Sequence, residues 1–203
     1  MESTFWFYFQ LGWEHIVDWA ALDHLLFLAA LCAIYTLADW RRVLLLVTAF
    51  TIGHCLSLVA AGTDLVRLPA NWVEALIPAT IMQTAGYNLL FSPLAVRNVE
   101  GSPRRACPLY ASALFFGLVH GLGFSNTFRA LLFPGEEAAL LTQLFGFNLG
   151  IETGQVLLVL VLLGLGTLLI KQLRVLPRWW NWLLSGSACS VAAYLFFERI
   201  VNF

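Results

Sequence analysis

The sequence predicts an all-α polytopic membrane bundle: six transmembrane helices, an N-terminal interfacial segment and both termini outside. Three observations predict it. Of 203 residues, 60% are hydrophobic and only 11% charged, against about 25% charged in a typical soluble domain. Mean hydropathy is +0.80. The apolar runs are long and continuous, as helices of ~20 residues require, whereas barrel strands would alternate over ~10 residues. A soluble enzyme, a disordered chain and a nucleic-acid binder are excluded on the same grounds. Net charge is −1, with no basic patch to hold phosphates. Residues 1–203 read as one integral membrane domain.

The chain opens with Phe5, Trp6, Phe7, Tyr8, Phe9 and Trp13 and no Lys or Arg before the first span. The segment does not read as a cleaved signal peptide. Residues 1–17 read as an aromatic segment lying among the headgroups. The spans follow at about 18–37, 43–61, 71–91, 108–124, 141–170 and 179–200. Pro78, one turn after Glu74, is expected to kink the third. Between the fourth and fifth, SNTFRALLFPGEEAALL reads as a short interfacial helix and a turn at Pro134–Gly135. Glu136 and Glu137 then suit the positive end of the fifth helix. Cys32, Cys55, Cys107 and Cys189 are widely spaced, which argues against a disulfide framework or a zinc knuckle.

Orientation follows from the basic loops. Arg41, Arg42, Arg97, Arg104, Arg105, Lys171, Arg174 and Arg178 fall on one side, and only Arg67, Arg129 and Arg199 on the other. The positive-inside rule puts the first group in the cytoplasm.

An ionisable side chain in hydrocarbon costs at least ~2.5 kcal/mol. Yet His24, His54 and His120, with Asp18, Asp23, Glu74 and Glu152, fall within predicted spans, as do Asn88, Asn148 and Gln155. At 1.5 Å rise per residue, Asp23 and His24 lie ~8 Å below the outer surface and His54 ~16 Å above the inner one. Asp23, His24, His54, Glu74, His120 and Glu152 thus fall in the outer half or near the midplane. That coincidence predicts a polar pocket open to the outside. Thr51, His54, Cys55 and Leu58 share one helical face, Asn148, Glu152 and Gln155 another, and Gly117, His120, Gly121 and Phe124 a third. Gly117, Gly121 and Gly123 allow close helix approach.

Imidazoles with carboxylates suit a borderline divalent transition metal rather than magnesium or calcium. The predicted metal set is Asp23, His24, His54, His120, Asn148 and Glu152, with Thr51, Cys55, Glu74, Asn88 and Gln155 behind it. Each residue also has a plainer reading. His54 and His120 fit interhelical hydrogen bonds, Cys55 fits packing, Glu74 fits a first-turn acid, and His15 and Asp18 fit the interface. No nucleotide, flavin or haem is expected, and there is no Walker A motif, so transport would be secondary, channel-like or partner-driven. The metal ion is cargo, with no tightly bound cofactor. The lipid-facing spans would permit a homo-oligomer or a membrane partner.

DHLLF (Asp23–Phe27), FTIGHCLSL (Phe50–Leu58), FFGLVHGLGF (Phe115–Phe124) and GFNLGIETGQ (Gly146–Gln155) stand in this order. Together they resemble the HupE/UreJ family of small bacterial membrane proteins, regarded as nickel or cobalt permeases tied to urease and hydrogenase maturation. The resemblance covers spans one to five. It implies a Ni²⁺ or Co²⁺ permease of the bacterial inner membrane, with Asp23, His24, His54, His120, Asn148 and Glu152 at the family's polar positions. Two departures stand out. Larger nickel/cobalt permeases carry a His four residues before an Asp-His pair, whereas His15 precedes Asp23–His24 by seven intervening residues. Cys55 stands where Ser is expected. Two other functions stay open: an intramembrane zinc-dependent hydrolase resembling alkaline ceramidases, without HExxH or HxxxH, and a non-transporting accessory subunit.

Overall fold

The structure is a computed structural model and describes residues 2–18, 22–99, 103–131 and 140–202. Seven α-helices follow one another: α1 Glu2–Val17, α2 Leu22–Cys32, α3 Trp40–Gly62, α4 Ala70–Val99, α5 Pro103–Leu131, α6 Leu140–Thr167 and α7 Pro177–Val201. A short 3₁₀ turn, Leu37–Asp39, leads into α3, and a π-helical turn, Leu168–Gln172, ends α6. Among the described residues there is no strand.

Four segments are long and apolar enough to cross a membrane: Leu37–Gly62, Cys107–Ser125, Leu141–Gln172 and Pro177–Val201. They match the predicted second, fourth, fifth and sixth spans. The first span needs correction. α2 has only 11 residues, too short to cross 30 Å alone at 1.5 Å per residue. The segment expected among the headgroups forms a 16-residue helix, with Tyr8 and Ile16 fully buried. α1 and α2 meet at 65° and qualify as a crossing only as one broken unit. α4, the expected third span, has 30 residues but does not reach the same apolarity, since Asn71, Glu74, Gln83 and Asn88 dilute it. It is assigned as one helix through the buried Pro78. Ser125–Leu131 continues α5 instead of forming a separate helix. Pro134–Gly135 and Glu136–Glu137 lie outside the described residues.

Hydropathy is sorted as a bilayer demands. On α3, Leu45, Ile52, Leu56 and Val59 point outward, while Leu46, Val47, Phe50, Gly53, His54 and Ser57 are buried against other helices. With lipid as solvent there is little hydrophobic gain in helix association, so close backbone contact has to supply it.

Glycine provides that contact, and in a repeated form. Four helices carry an apolar residue three positions before a glycine: Phe9–Gly12 (α1), Phe50–Gly53 (α3), Leu114–Gly117 (α5) and Phe147–Gly150 (α6). A Cβ on Gly53 would strike the Leu114 carbonyl oxygen, and one on Gly117 the Phe50 carbonyl oxygen. A Cβ on Gly12 would strike the Phe147 oxygen, and one on Gly150 the Phe9 oxygen. Each glycine is therefore seated on the first residue of its partner's motif. A second small residue follows one turn later: Gly121 meets Ser57 and His54, as Gly154 meets Ile16 and Trp13.

The residue pairing makes α3 parallel to α5 and α1 parallel to α6. α3 runs antiparallel to α6, because Leu37 N–H donates to Thr167 Oγ1 at one end while Leu58 packs with Phe147 toward the other. The two glycine-locked pairs thus point in opposite directions. The third element of each half matches too. Leu68–Pro69 with Trp72 opens α4, and Leu176–Pro177 with Trp180 opens α7. Among the described residues, the non-glycine positions with positive φ, Asp64 (57°) and Arg174 (54°), lie in the loops just before these motifs. So α1/α2–α3–α4 and α5–α6–α7 are built by one plan, inverted.

Candidate metal site

Three imidazoles converge where the two glycine-locked pairs meet. His15 ends α1, His24 begins α2 and His54 follows the seated Gly53 of α3. One ligand atom from each lies within 4.8 Å of the others. Ring centroids are 4.7 Å apart for His15–His24, and 6.0 Å for both His15–His54 and His24–His54. His120 of α5 adjoins them, 5.3 Å from His24. His24, His54 and His120 are buried and His15 half-buried.

The ring nitrogens have almost nothing to bond. His120 Nδ1 lies 2.8 Å from the Phe116 carbonyl oxygen. As donor there, it leaves Nε2 with its lone pair turned elsewhere. That Nε2, both nitrogens of His24, both of His54 and Nε2 of His15 are buried without a bond from any protein group. Each such atom costs ~1–3 kcal/mol when left unpaired, and unpaired buried polar groups are rare. A shared cation would satisfy several at once. Aromatic rings wall the cluster: Phe124 stands 4.2 Å from His15, Phe50 5.1 Å from His120 and Phe147 6.3 Å from His54. Such walls exclude water and strengthen a metal–imidazole bond.

The predicted residues divide. His24, His54 and His120 are brought together, with Asp23 on the adjacent backbone. Asp23 Oδ1 is buried and unbonded, while Oδ2 faces Arg199 at 3.5 Å. Glu152 accepts a hydrogen bond from Thr48 (2.8 Å), and Gln155 one from Thr51 (2.8 Å), joining α6 to α3. Asn148 turns its amide back to the Leu144 carbonyl oxygen at 2.8 Å. Asn88 bonds the Ala30 carbonyl oxygen and Ser185. Cys55 is half-buried on α3. Glu74 is exposed and lines a separate cavity at the start of α4.

His15, expected at the interface, lies in the cluster with His24 and His54. A signal was present. His15 stands three residues after Gly12, as His120 stands three after Gly117. Seven residues separate His15 from Asp23, yet the His15 and His24 rings lie 4.7 Å apart.

No curated protein and no solved structure matches the chain. A family model described as HupE / UreJ protein matches residues 1–199. With nearly the whole chain covered, the protein belongs to the HupE/UreJ family.

Proposed function

We propose that the protein is a permease for a divalent transition metal, with Ni²⁺ the favoured cargo and Co²⁺ next. The observation that carries this reading is the convergence of His15, His24 and His54 from three helices within 4.8 Å. Three neutral imidazoles suit nickel, cobalt, zinc or copper. The HupE/UreJ family is associated with nickel and cobalt uptake and is of transporter type.

Two features of the fold support transport over static binding. The cluster sits at the break of a discontinuous helix, and the halves around it are inverted copies of one plan; secondary transporters place their substrate sites in this way. In this reading α1/α2, α3, α4, α5, α6 and α7 make six crossings. The basic loops then face the bacterial cytoplasm and both termini lie outside. His120 and Asp23 complete the site, and Glu152 and Asn148 serve it indirectly through α3–α6 packing.

Accumulation of Ni²⁺, Co²⁺, Zn²⁺, Mn²⁺ and Fe²⁺ by cells expressing the chain tests the proposal. Uptake of Ni²⁺ or Co²⁺ above background, lost in His54→Ala and His15→Ala proteins that still reach the membrane, is the expected result. Equal accumulation of all five metals with and without the chain refutes it.

A further inference from the structure

The mouth of the bundle holds a group that the site itself does not use. Where α4 begins and α7 ends, a cavity of about 290 Å³ is lined by Asn71, Glu74, Glu198, Arg199 and Asn202. Arg199 spans from this cavity toward the imidazoles. One arm of its guanidinium donates to the Glu74 carbonyl oxygen at 2.6 Å. The other donates to Asp23 Oδ2 at 3.5 Å. Asp23 immediately precedes His24, and its second oxygen is buried and unbonded. The positive charge thus stands between two cavity carboxylates on one side and an imidazole cluster on the other.

The opposite end of the α4·α7 pair is closed differently. Asn181 Nδ2 donates to the Asn88 carbonyl oxygen (3.0 Å), Asn88 Nδ2 to Ala30 O (2.7 Å) and Ser185 (3.3 Å), and Ser185 to Asn181 Oδ1 (2.8 Å). All three side chains are buried and none is charged. The same pair therefore holds α2 at two points, through a dry amide circuit near Ala30 and through a wet ion pair at Asp23. Side chains of Arg199 and Asp23 are 25% and 21% exposed, so water reaches the pair and its hold is weak. An exchange of partners at that end breaks no buried hydrogen bond.

We propose that Arg199 is a latch on the cation's route from the acidic cavity to the imidazoles. An arriving divalent cation takes Asp23 from the guanidinium, and the released arm has the Glu74 and Glu198 carboxylates of the cavity within its surroundings. While the site is empty, the arginine neutralises Asp23 and repels cations that lack the charge to displace it. Arg199 acts through Asp23 and is not itself a ligand. The inference rests on the metal-site reading above.

Co²⁺ tests both and separates them, because its visible bands report imidazole ligation. The full-length protein in lipid nanodiscs is mixed with Co²⁺ in a stopped-flow cell, and the rate and final spectrum are read. Arg199→Gln is expected to bind Co²⁺ about threefold faster or more, with the wild-type spectrum, since a repulsive charge at the entrance is gone. Arg199→Lys, which keeps the charge, is expected to stay near the wild-type rate. Glu74→Gln/Glu198→Gln, both exposed positions, is expected to slow binding about threefold, most strongly at low salt. A merely structural ion pair would lower thermal stability in Arg199→Gln and leave the rate alone. Rates within twofold of wild type in both Arg199→Gln and the double glutamine variant, with the Co²⁺ bands intact, overturn the latch only. Absence of Co²⁺ bands in the wild-type protein overturns the metal site, and the latch with it.

Discussion

Gly53→Ala and Gly117→Ala are expected to be the most damaging single-methyl additions in the bundle. A Cβ on Gly53 would meet the Leu114 carbonyl oxygen, with the Leu114 carbonyl carbon and Leu118 N both at 3.0 Å. One on Gly117 would meet the Phe50 oxygen, with the Phe50 carbonyl carbon at 2.8 Å and His54 N at 3.0 Å. All of these are backbone atoms and cannot rotate away. Ordinary contact begins at 3.4 Å, so α3 and α5 must part by about 1 Å or bend. Overpacking of this kind costs ~1–3 kcal/mol, and the upper end applies where only backbone can yield. In a chain of this size each 1 kcal/mol lowers Tm by about 2–4 °C, so a fall of roughly 6–12 °C is expected in detergent. Gly86, Gly164 and Gly186 meet nothing within 4 Å. Alanine there should leave Tm unchanged or raise it, since alanine is favoured over glycine in helices by ~1 kcal/mol. Because His54 follows Gly53 directly, parting the helices also moves an imidazole, and Co²⁺ affinity should fall about tenfold or more. If Gly53→Ala and Gly117→Ala melt with Gly86→Ala, the helix pairs are not locked as described and the inverted-pair account fails.

Gly12→Ala and Gly150→Ala should behave alike on the other pair, loosening α1 from α6, and limited proteolysis near the N-terminus should report it; equal resistance would contradict the seating of α1. Asn88→Ala leaves Ala30 O and Ser185 without their partner and should cost ~1 kcal/mol by thermal melt, against no loss if the amide circuit is incidental. Thr48→Val strands the Glu152 carboxylate and should lower stability while leaving Co²⁺ bands unchanged; altered bands would return Glu152 to the ligand set. Each ligating imidazole must be neutral, so protons and Co²⁺ should compete for the site, and acid should strip the Co²⁺ bands while circular dichroism still reports folded helix; bands that outlast the helices would argue against an imidazole site.

Each element is legible in the sequence to the extent that its signal is local. α3 and α6 declare themselves by long, strongly apolar runs with mean hydropathies of 2.2 and 2.3, which suit lipid. His24, His54 and His120 declare themselves by the cost of placing a titratable ring in such a run. α1 was hidden because Phe5, Trp6, Phe7, Tyr8 and Phe9 fit an interface as well as a helix contact. What decides between the two is Gly12, whose partner Phe147 lies 135 positions away in sequence. The place of His15 beside His24 and His54 depends on how α1 and α2 come together, which no local pattern announces. Glu152 invites a ligand reading by depth alone; in the structure its carboxylate accepts a hydrogen bond from Thr48 of the facing helix. The repeat of Phe9–Gly12, Phe50–Gly53, Leu114–Gly117 and Phe147–Gly150 is plain once the pairs are known. A two-residue motif is too common to single out beforehand.

X-ray absorption at the nickel edge, on the purified protein loaded with one equivalent of Ni²⁺, tests the central claim most directly. The account predicts scattering from at least three imidazoles, with one lost in each of His15→Ala, His24→Ala and His54→Ala. A first shell of oxygen alone, or a spectrum indifferent to those three substitutions, would contradict it.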